Sequence, residues 1–306
     1  MTLVTLTGVT NITKRTIHKY VTIGLVIVTI GGIAFGYFKL TQAPATGAIS
    51  SIDTATDTPA DRKLQFSDEF DGDSLSQRKW NTCYDNYSID YKGCSNHGNQ
   101  ESQWYQASQV TVTGGNLVLQ SKKQQIGGTD GEGNYRSYDY ISGMVSSGRY
   151  QKGTPEKWST TYGLYEARIK VPEGKAIWPA FWLLPVSTEW PPEIDIMELL
   201  GDKPNESIAT YFWKDSSGNA AKDSSQYDYG KSLTDDWHTY AVDWREGTID
   251  WYVDGKKIKH VESKNVSSVP MQIILNLAVG GQLPGQPDAT TPASATMLVD
   301  YVRVYE

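Results

Sequence analysis

The chain has 306 residues, with 28 Lys and Arg against 35 Asp and Glu, a formal net charge of −7. No dense Lys/Arg stripe exists that could neutralise a phosphate backbone, so nucleic acid is excluded as a partner. The 10 Trp and 19 Tyr, with abundant Val, Ile and Thr, favour pleated strands over helices, and a single all-β domain of roughly 200 residues or more fits the length.

In chain order, the first predicted element spans Tyr20 to Phe38, an uncharged apolar run about as long as a helix needs to cross a hydrocarbon core. Lys14, Arg15 and Lys19 precede it, which places residues 1–19 in the cytoplasm and everything after Lys39 on the extracellular side. The expected partner of this segment is the membrane, through a signal-anchor helix. Ala43-Pro-Ala45 offers a cleavage pattern that would release the rest as a secreted protein. Residues 39–62, rich in Ala, Thr, Asp and Pro and without periodicity, read as a linker to a domain over 63–306. Cys83 and Cys94 lie on the exported side, where a disulfide is favoured and two thiols are the alternative; a zinc site lacks a fourth ligand.

From Leu64 onward, short strand-like runs alternate with Gly, Asn, Asp and Pro. Val110 to Leu119 reads as a hairpin with Gly114-Gly115 at a turn that needs positive φ. Tyr240 to Trp244 and Ile249 to Val253 form another, and Asp254-Gly255 turns into Lys257 to Val261. Met271 to Val279 is nearly all apolar, as in a strand buried on both faces, and Met297 to Tyr305 closes the chain. The expected class is all-β, a two-sheet antiparallel sandwich in one domain.

The chemistry lies in Glu193-Ile-Asp-Ile-Met-Glu198. Strand alternation puts Glu193 and Asp195 on one side with the isoleucines in the core, and turns Glu198 away unless a one-residue β-bulge near Ile196-Met197 restores it. Four strand steps of roughly 13 Å, with side chains leaning inward by about 4 Å each, leave the two Glu carboxylates some 5 Å apart. Retaining glycosidases use about that separation, whereas inverting ones leave about 6.5–9.5 Å for a water. Three acids on one face titrate together, so at least one must be held protonated, which suits an acid catalyst; Asp195 is expected to hydrogen-bond one of its neighbours. A calcium site or a solvated acidic edge are the plainer readings of the same acids. The Trp residues at 178, 182 and 190 favour a sugar cleft instead.

This segment resembles the active-site strand of glycoside hydrolase family 16, in its bulged, laminarinase-like form. Phe66-Ser-Asp-Glu-Phe-Asp-Gly72, Asn99-Gln-Glu-Ser-Gln-Trp-Tyr105, Ser147-Gly-Arg149, Ile177-Trp-Pro-Ala-Phe-Trp182, Trp237-His-Thr-Tyr240 and Val299-Asp-Tyr-Val-Arg-Val-Tyr305 resemble the family in the same order, over about residues 64–306. The resemblance implies a concanavalin A-like β-jelly-roll and retaining, endo-acting cleavage of β-linkages in a glucan, foremost β-1,3-glucan; no cofactor is expected for catalysis, and a monomer is the expected state. Mixed-linkage glucan, agar-like galactan and glycosyl transfer are variants of that activity. By position it implies Glu193 as nucleophile, Glu198 as acid/base and Asp195 as supporting acid. It places Asn99, Arg149, Trp178 and Trp182 against the polysaccharide, and Glu69, a carbonyl near Gly115 and Asp300 around a structural calcium. One departure stands out: Phe212 occupies a position where laminarinase-like sequences usually carry a His.

Two other classes compete. A non-catalytic β-glucan-binding or sensing module would keep the cleft and lose its acids, yet both Glu193 and Glu198 are present. An adhesin tethered by its N-terminal helix leaves three aligned acids beside Trp residues without a reason.

Overall fold

The computed structural model describes residues 62–83, 94–95, 97–129, 134–149, 155–187 and 189–306. The anchor expected over 20–38 and nearly all of the linker lie outside them; among the described residues no helix is long and apolar enough to cross a membrane.

Two sheets make up the domain, with strands numbered along the chain. The larger runs in the order β14 (Lys256–Glu262), β13 (Thr248–Val253), β12 (His238–Arg245), β7 (Gly163–Lys170), β16 (Ser294–Tyr305), β4 (Asn116–Thr129), β5 (Tyr135–Ser142) and β2 (Gln103–Tyr105). To it β1 (Leu64–Asp68) adds on β16, and β3 (Val110–Thr113) on β4. The smaller runs β11 (Ala220–Asp228), β10 (Glu206–Lys214), β9 (Glu193–Glu198), β8 (Ile177–Pro185), β15 (Met271–Val279) and β6 (Met144–Ser146). Neighbours pair antiparallel except β2 with β5.

The predicted hairpins form where turn chemistry demanded them. Gly114 and Gly115 take φ of 60° and 73° between β3 and β4, and Asp254 and Gly255 take 49° and 74° between β13 and β14, conformations whose twist matches paired strands. Outer strands avoid open apolar edges: β2 and β6 have three residues each, while β14 and β11 carry Lys256, Lys257, Lys222 and Asp223.

Between the sheets, Leu117, Leu119, Trp244, Trp251, Val299 and Val302 of the larger sheet belong to one buried cluster with Phe181, Leu183, Ile194, Ile196, Met197, Ile273 and Leu275 of the smaller. Each such side chain contributes about 1.5–3 kcal/mol through its removal from water. β15 is buried along its whole length, as its apolar run required. At the domain's entry Arg62 donates to both oxygens of Asp243 (2.9 and 2.8 Å), and Lys63 and Glu306 exchange backbone hydrogen bonds of 3.0 and 2.9 Å. Cys83 and Cys94 form a disulfide, buried with Tyr105, Met144 and Ile274 against Trp182.

Candidate active site

β9 buries Ile194, Ile196 and Met197 in the core, which leaves its carboxylates on the sheet's other face. On β10, Phe212 lies opposite Glu193, Thr210 opposite Asp195 and Ile208 opposite Glu198; on β8, Trp182 lies opposite Asp195 and Ala180 opposite Glu198. Between Asp195 and Glu198, β9 advances three residues while both neighbours advance two. The extra residue is the bulge at Ile196-Met197, and it returns Glu198 to the face of Glu193 and Asp195 as the acid spacing required.

Register carries these rows across the sheet. Glu193 continues through Phe212 to Lys222; Asp195 runs through Thr210 to Ser224 one way and through Trp182 to Ile274 the other; Glu198 runs through Ala180 to Asn276. The acids therefore share one inner strand, β9, with β10 and β11 on one side and β8, β15 and β6 on the other.

Each outer acid has its own indole donor. Trp190 Nε1 donates to Glu193 Oε2 at 2.8 Å, and Trp178 Nε1 to Glu198 Oε1 at 3.0 Å. Burial pushes Glu193 up to about 7, opposed by hydrogen bonds from Trp190 and Asp195. It pushes Glu198 up to about 7 as well, reinforced by the charge of Glu193 and opposed by Trp178 and by Lys222. Asp195, nearly fully buried, is held well above the ordinary carboxylate range by burial and by Glu193 and Glu198, and its hydrogen bond to Glu193 favours its protonated form. Asp195 is thus the donor and Glu193 the acceptor of that bond. Its backbone carbonyl accepts from Trp251 Nε1 at 2.8 Å, tying the bulged strand to the core.

The other expected cleft residues converge less evenly. Trp178 touches an acid directly, whereas Trp182 Nε1 donates to Asn276 Oδ1 at 2.7 Å. Asn99 Nδ2 donates to Glu101 Oε1 at 3.1 Å. Gly281, with φ of 129°, threads the loop after β15 between Asn99 and Trp178; a Cβ there would lie 3.1 Å from the Asn99 carbonyl and 3.2 Å from the Trp178 ring. Arg149, partly buried, leaves the sheet at the β6 edge, just after Gly148 packs against Gln272. Phe212, opposite Glu193, has the Trp190 ring centroid 5.6 Å from its own and Lys222 Nζ 5.7 Å over its face. An aromatic pair capped by a cation stands where a His was expected.

Sequence reasoning passed over Trp190 as a donor to Glu193, although the i, i+3 spacing places it close. It also passed over Glu101, Tyr105 and Asn276, which meet only through tertiary pairing. Glu69 accepts from Arg303 Nε and Nη2 (3.0 and 2.7 Å), and Asp300 accepts from Arg168 Nη1 (2.8 Å). Guanidinium groups thus hold both Glu69 oxygens and one oxygen of Asp300, and among the described residues no group of three His, Cys, Asp or Glu gathers to hold a metal. As placed, a calcium ion at Glu69 and Asp300 would have to displace these guanidinium groups.

The glycosyl hydrolases family 16 profile matches residues 96–303. The chain belongs to this family. Among family 16 relatives, endo-1,3-1,4-beta-glycanase EglC of Rhizobium meliloti is 34% identical over 254 residues, 78% of this chain and 51% of the relative. Glucan endo-1,3-beta-glucosidase A1 of Niallia circulans is 34% identical over 280 residues, 84% and 40% of the two chains. The chain thus spans about half or less of the length of these curated relatives. Among solved structures, the endo-β-1,3-glucanase of Pyrococcus furiosus is 35% identical with a TM-score of 0.66, covering 80% of this chain and 94% of that one. The catalytic domain of the endo-1,3-β-glucanase (laminarinase) of Thermotoga petrophila is 33% identical with a TM-score of 0.67, covering 80% and 98%. The sandwich is the family 16 β-jelly-roll, and the family is one of glycoside hydrolases whose catalysis needs no cofactor.

The raised acids have a cost in stability with a defined sign. Carboxyls that bind protons more tightly folded than unfolded stabilise the fold fully below the unfolded value, near 4.5 for Glu, and that contribution is lost as pH rises through about 7. Glu193→Gln is therefore expected to raise stability at pH 8 by about 1–3 kcal/mol and to have little effect at pH 5. Urea denaturation at the two pH values measures the difference; equal midpoints for variant and wild type at pH 8 would contradict the desolvated acid.

Proposed function

We propose that this chain is a retaining, endo-acting β-glucanase of family 16 that cuts internal linkages of β-1,3-glucan. The observation that carries the reading is the bulge, which sets Glu193 and Glu198 on one face, each desolvated and each with an indole donor. In the first step a Glu193 oxygen bonds to the anomeric carbon as the glycosidic C–O bond breaks, and the Glu198 proton passes to the leaving oxygen. In the second, Glu198 takes a proton from water, whose oxygen attacks the same carbon and releases Glu193. Two inversions return the β configuration. Asp195, protonated and bonded to Glu193, opposes the rise that burial imposes on the nucleophile and so favours its ionised, attacking form. Trp182, Trp178, Asn99 and Arg149 line the sugar path on one side of the acids, and the Trp190–Phe212 pair lies on the other.

The names of the Pyrococcus and Thermotoga structures support β-1,3-glucan. The EglC name supports a mixed-linkage alternative, and Phe212 in place of His is a reason to keep it. The apolar run over 20–38 behind Lys14, Arg15 and Lys19 supports anchorage with the catalytic domain outside the cell, and the Cys83–Cys94 disulfide agrees with an oxidising location. A panel of laminarin, lichenan and agarose, with linkage analysis of the products, tests the substrate. We expect reducing ends from laminarin, with the β-anomer formed first by proton NMR. Release from agarose alone, or α-anomer first, would overturn the assignment.

A further inference from the structure

Glu101 is a buried carboxylate, 9% exposed, that the two-step displacement does not use. It accepts from Asn99 Nδ2 (3.1 Å), from the Tyr105 hydroxyl (3.4 Å) and from Gln103 Nε2 in a short contact. The Tyr105 oxygen in turn accepts from Asn276 Nδ2 at 2.9 Å, and Asn276 Oδ1 accepts from Trp182 Nε1 at 2.7 Å. Gln103, Tyr105 and Asn276 are buried too. One hydrogen-bonded chain thus runs from Asn99 to Trp182. It passes from β2, in the larger sheet, to the paired strands β15 and β8 of the smaller, to which no backbone ladder joins β2.

The chemistry of the links is directional. A carboxylate meets these three donors with acceptors on both oxygens, whereas an amide there would turn its own N–H groups toward one of them. A carboxylate buried this far is costly unless satisfied, and such groups fix geometry more than they add stability. With Nδ2 engaged by Glu101, Asn99 is left with Oδ1 as its acceptor for a sugar hydroxyl. At the far end, the ring plane of Trp182 is set by its bond to Asn276.

We propose that Glu101 is a positioning residue of the glucan cleft, which orients Asn99 and, through Tyr105 and Asn276, the Trp182 ring, so that these two sugar contacts act as one unit. The inference rests on the reading of this face as a β-glucan cleft. Glu101 takes no part in the two-step displacement, so its loss is expected in binding and not in the pH dependence of the acid pair.

The test measures kcat and KM separately for the full chain, as wild type, Glu101→Gln and Tyr105→Phe, on laminari-oligosaccharides of increasing length. For Glu101→Gln, KM is expected to rise about tenfold, the equivalent of one charge-assisted hydrogen bond, with kcat falling less than about threefold and its pH profile unmoved. Combining it with Trp182→Phe, which removes the indole N–H, adds less than about threefold to the worse single variant, because both break the same chain. Multiplicative losses, an unchanged KM, or a fall confined to kcat would overturn the proposal. Tyr105→Phe removes only the hydroxyl between Glu101 and Asn276, and decides the matter if Glu101→Gln does not fold. A wild type inert on laminarin sinks the glucanase reading itself; an active wild type with indifferent variants sinks only this inference.

Discussion

Glu193→Gln is expected to lower kcat on laminarin by about 10⁴-fold or more, and Glu198→Gln by about 10²–10⁴-fold, because the first removes the bond-forming atom and the second only proton transfer. The separation of roles shows best with azide, an anion that attacks without a general base. On an aryl β-glucoside oligomer with a good leaving group, Glu198→Ala still forms the covalent intermediate, and azide releases it as the β-glycosyl azide. In Glu193→Ala, azide fills the space of the missing carboxylate and attacks the opposite face, giving the α-glycosyl azide. Product NMR distinguishes the two. The reverse pairing of variant and anomer would exchange the roles of Glu193 and Glu198, and full activity in either Gln variant would remove it from the mechanism.

The second large effect is one of stability with a catalytic echo. Trp251 is fully buried on β13, its indole N–H donates to the Asp195 carbonyl at 2.8 Å, and Lys259 Nζ stands 5.5 Å from its ring centroid. Trp251→Ala is expected to cost about 3–5 kcal/mol through the cavity it leaves. Trp251→Phe keeps most of the volume but takes the donor from the bulged strand, for about 1–3 kcal/mol. The Phe variant should also lose activity at temperatures where it is fully folded, because the bulge aims Glu198. Urea midpoints and kcat on the same preparations test this. A Phe variant as stable and as active as wild type would mean that the bulge is held without the core's help.

Legibility followed the range of the interaction. The β-bulge could be read in Glu193-Ile-Asp-Ile-Met-Glu198 because a single rule, alternation of faces, conflicts with the placement of two acids five residues apart. The turns at Gly114-Gly115 and Asp254-Gly255 were equally local, since positive φ is a property of a residue and its neighbours. Strand order was not local. Nothing in Ser294–Tyr305 announces that it lies between β7 and β4, because that depends on which apolar faces find each other across the whole chain.

The same limit divided the tryptophans. Trp178 and Trp182 looked alike in Ile177-Trp-Pro-Ala-Phe-Trp182, both on the cleft face by period, yet one bonds Glu198 and the other Asn276. The Glu101 network was hidden for the same reason, with Tyr105 and Asn276 171 residues apart. The calcium ligands were a transfer by position, and the arginines that hold Glu69 and Asp300 sit in stretches where no sequence signal marked them as partners.

The place of β16 has a consequence for how the chain comes to be folded at all. Until Ser294–Tyr305 emerges, the strands from β7 to β14 and those from β2 to β5 are two half-sheets with bare facing edges. β1 waits for a partner: Gln65 and Glu306, bonded in the finished domain, are 241 residues apart. At about 5–20 residues per second of synthesis, that wait lasts on the order of 10–50 s. From their own synthesis to its end, β4 and β7 present unpaired, aggregation-prone edges. The last twelve residues of strand act as a keystone, so a nascent chain stalled just short of them is an open ribbon and a substrate for chaperones, not a slightly shortened enzyme.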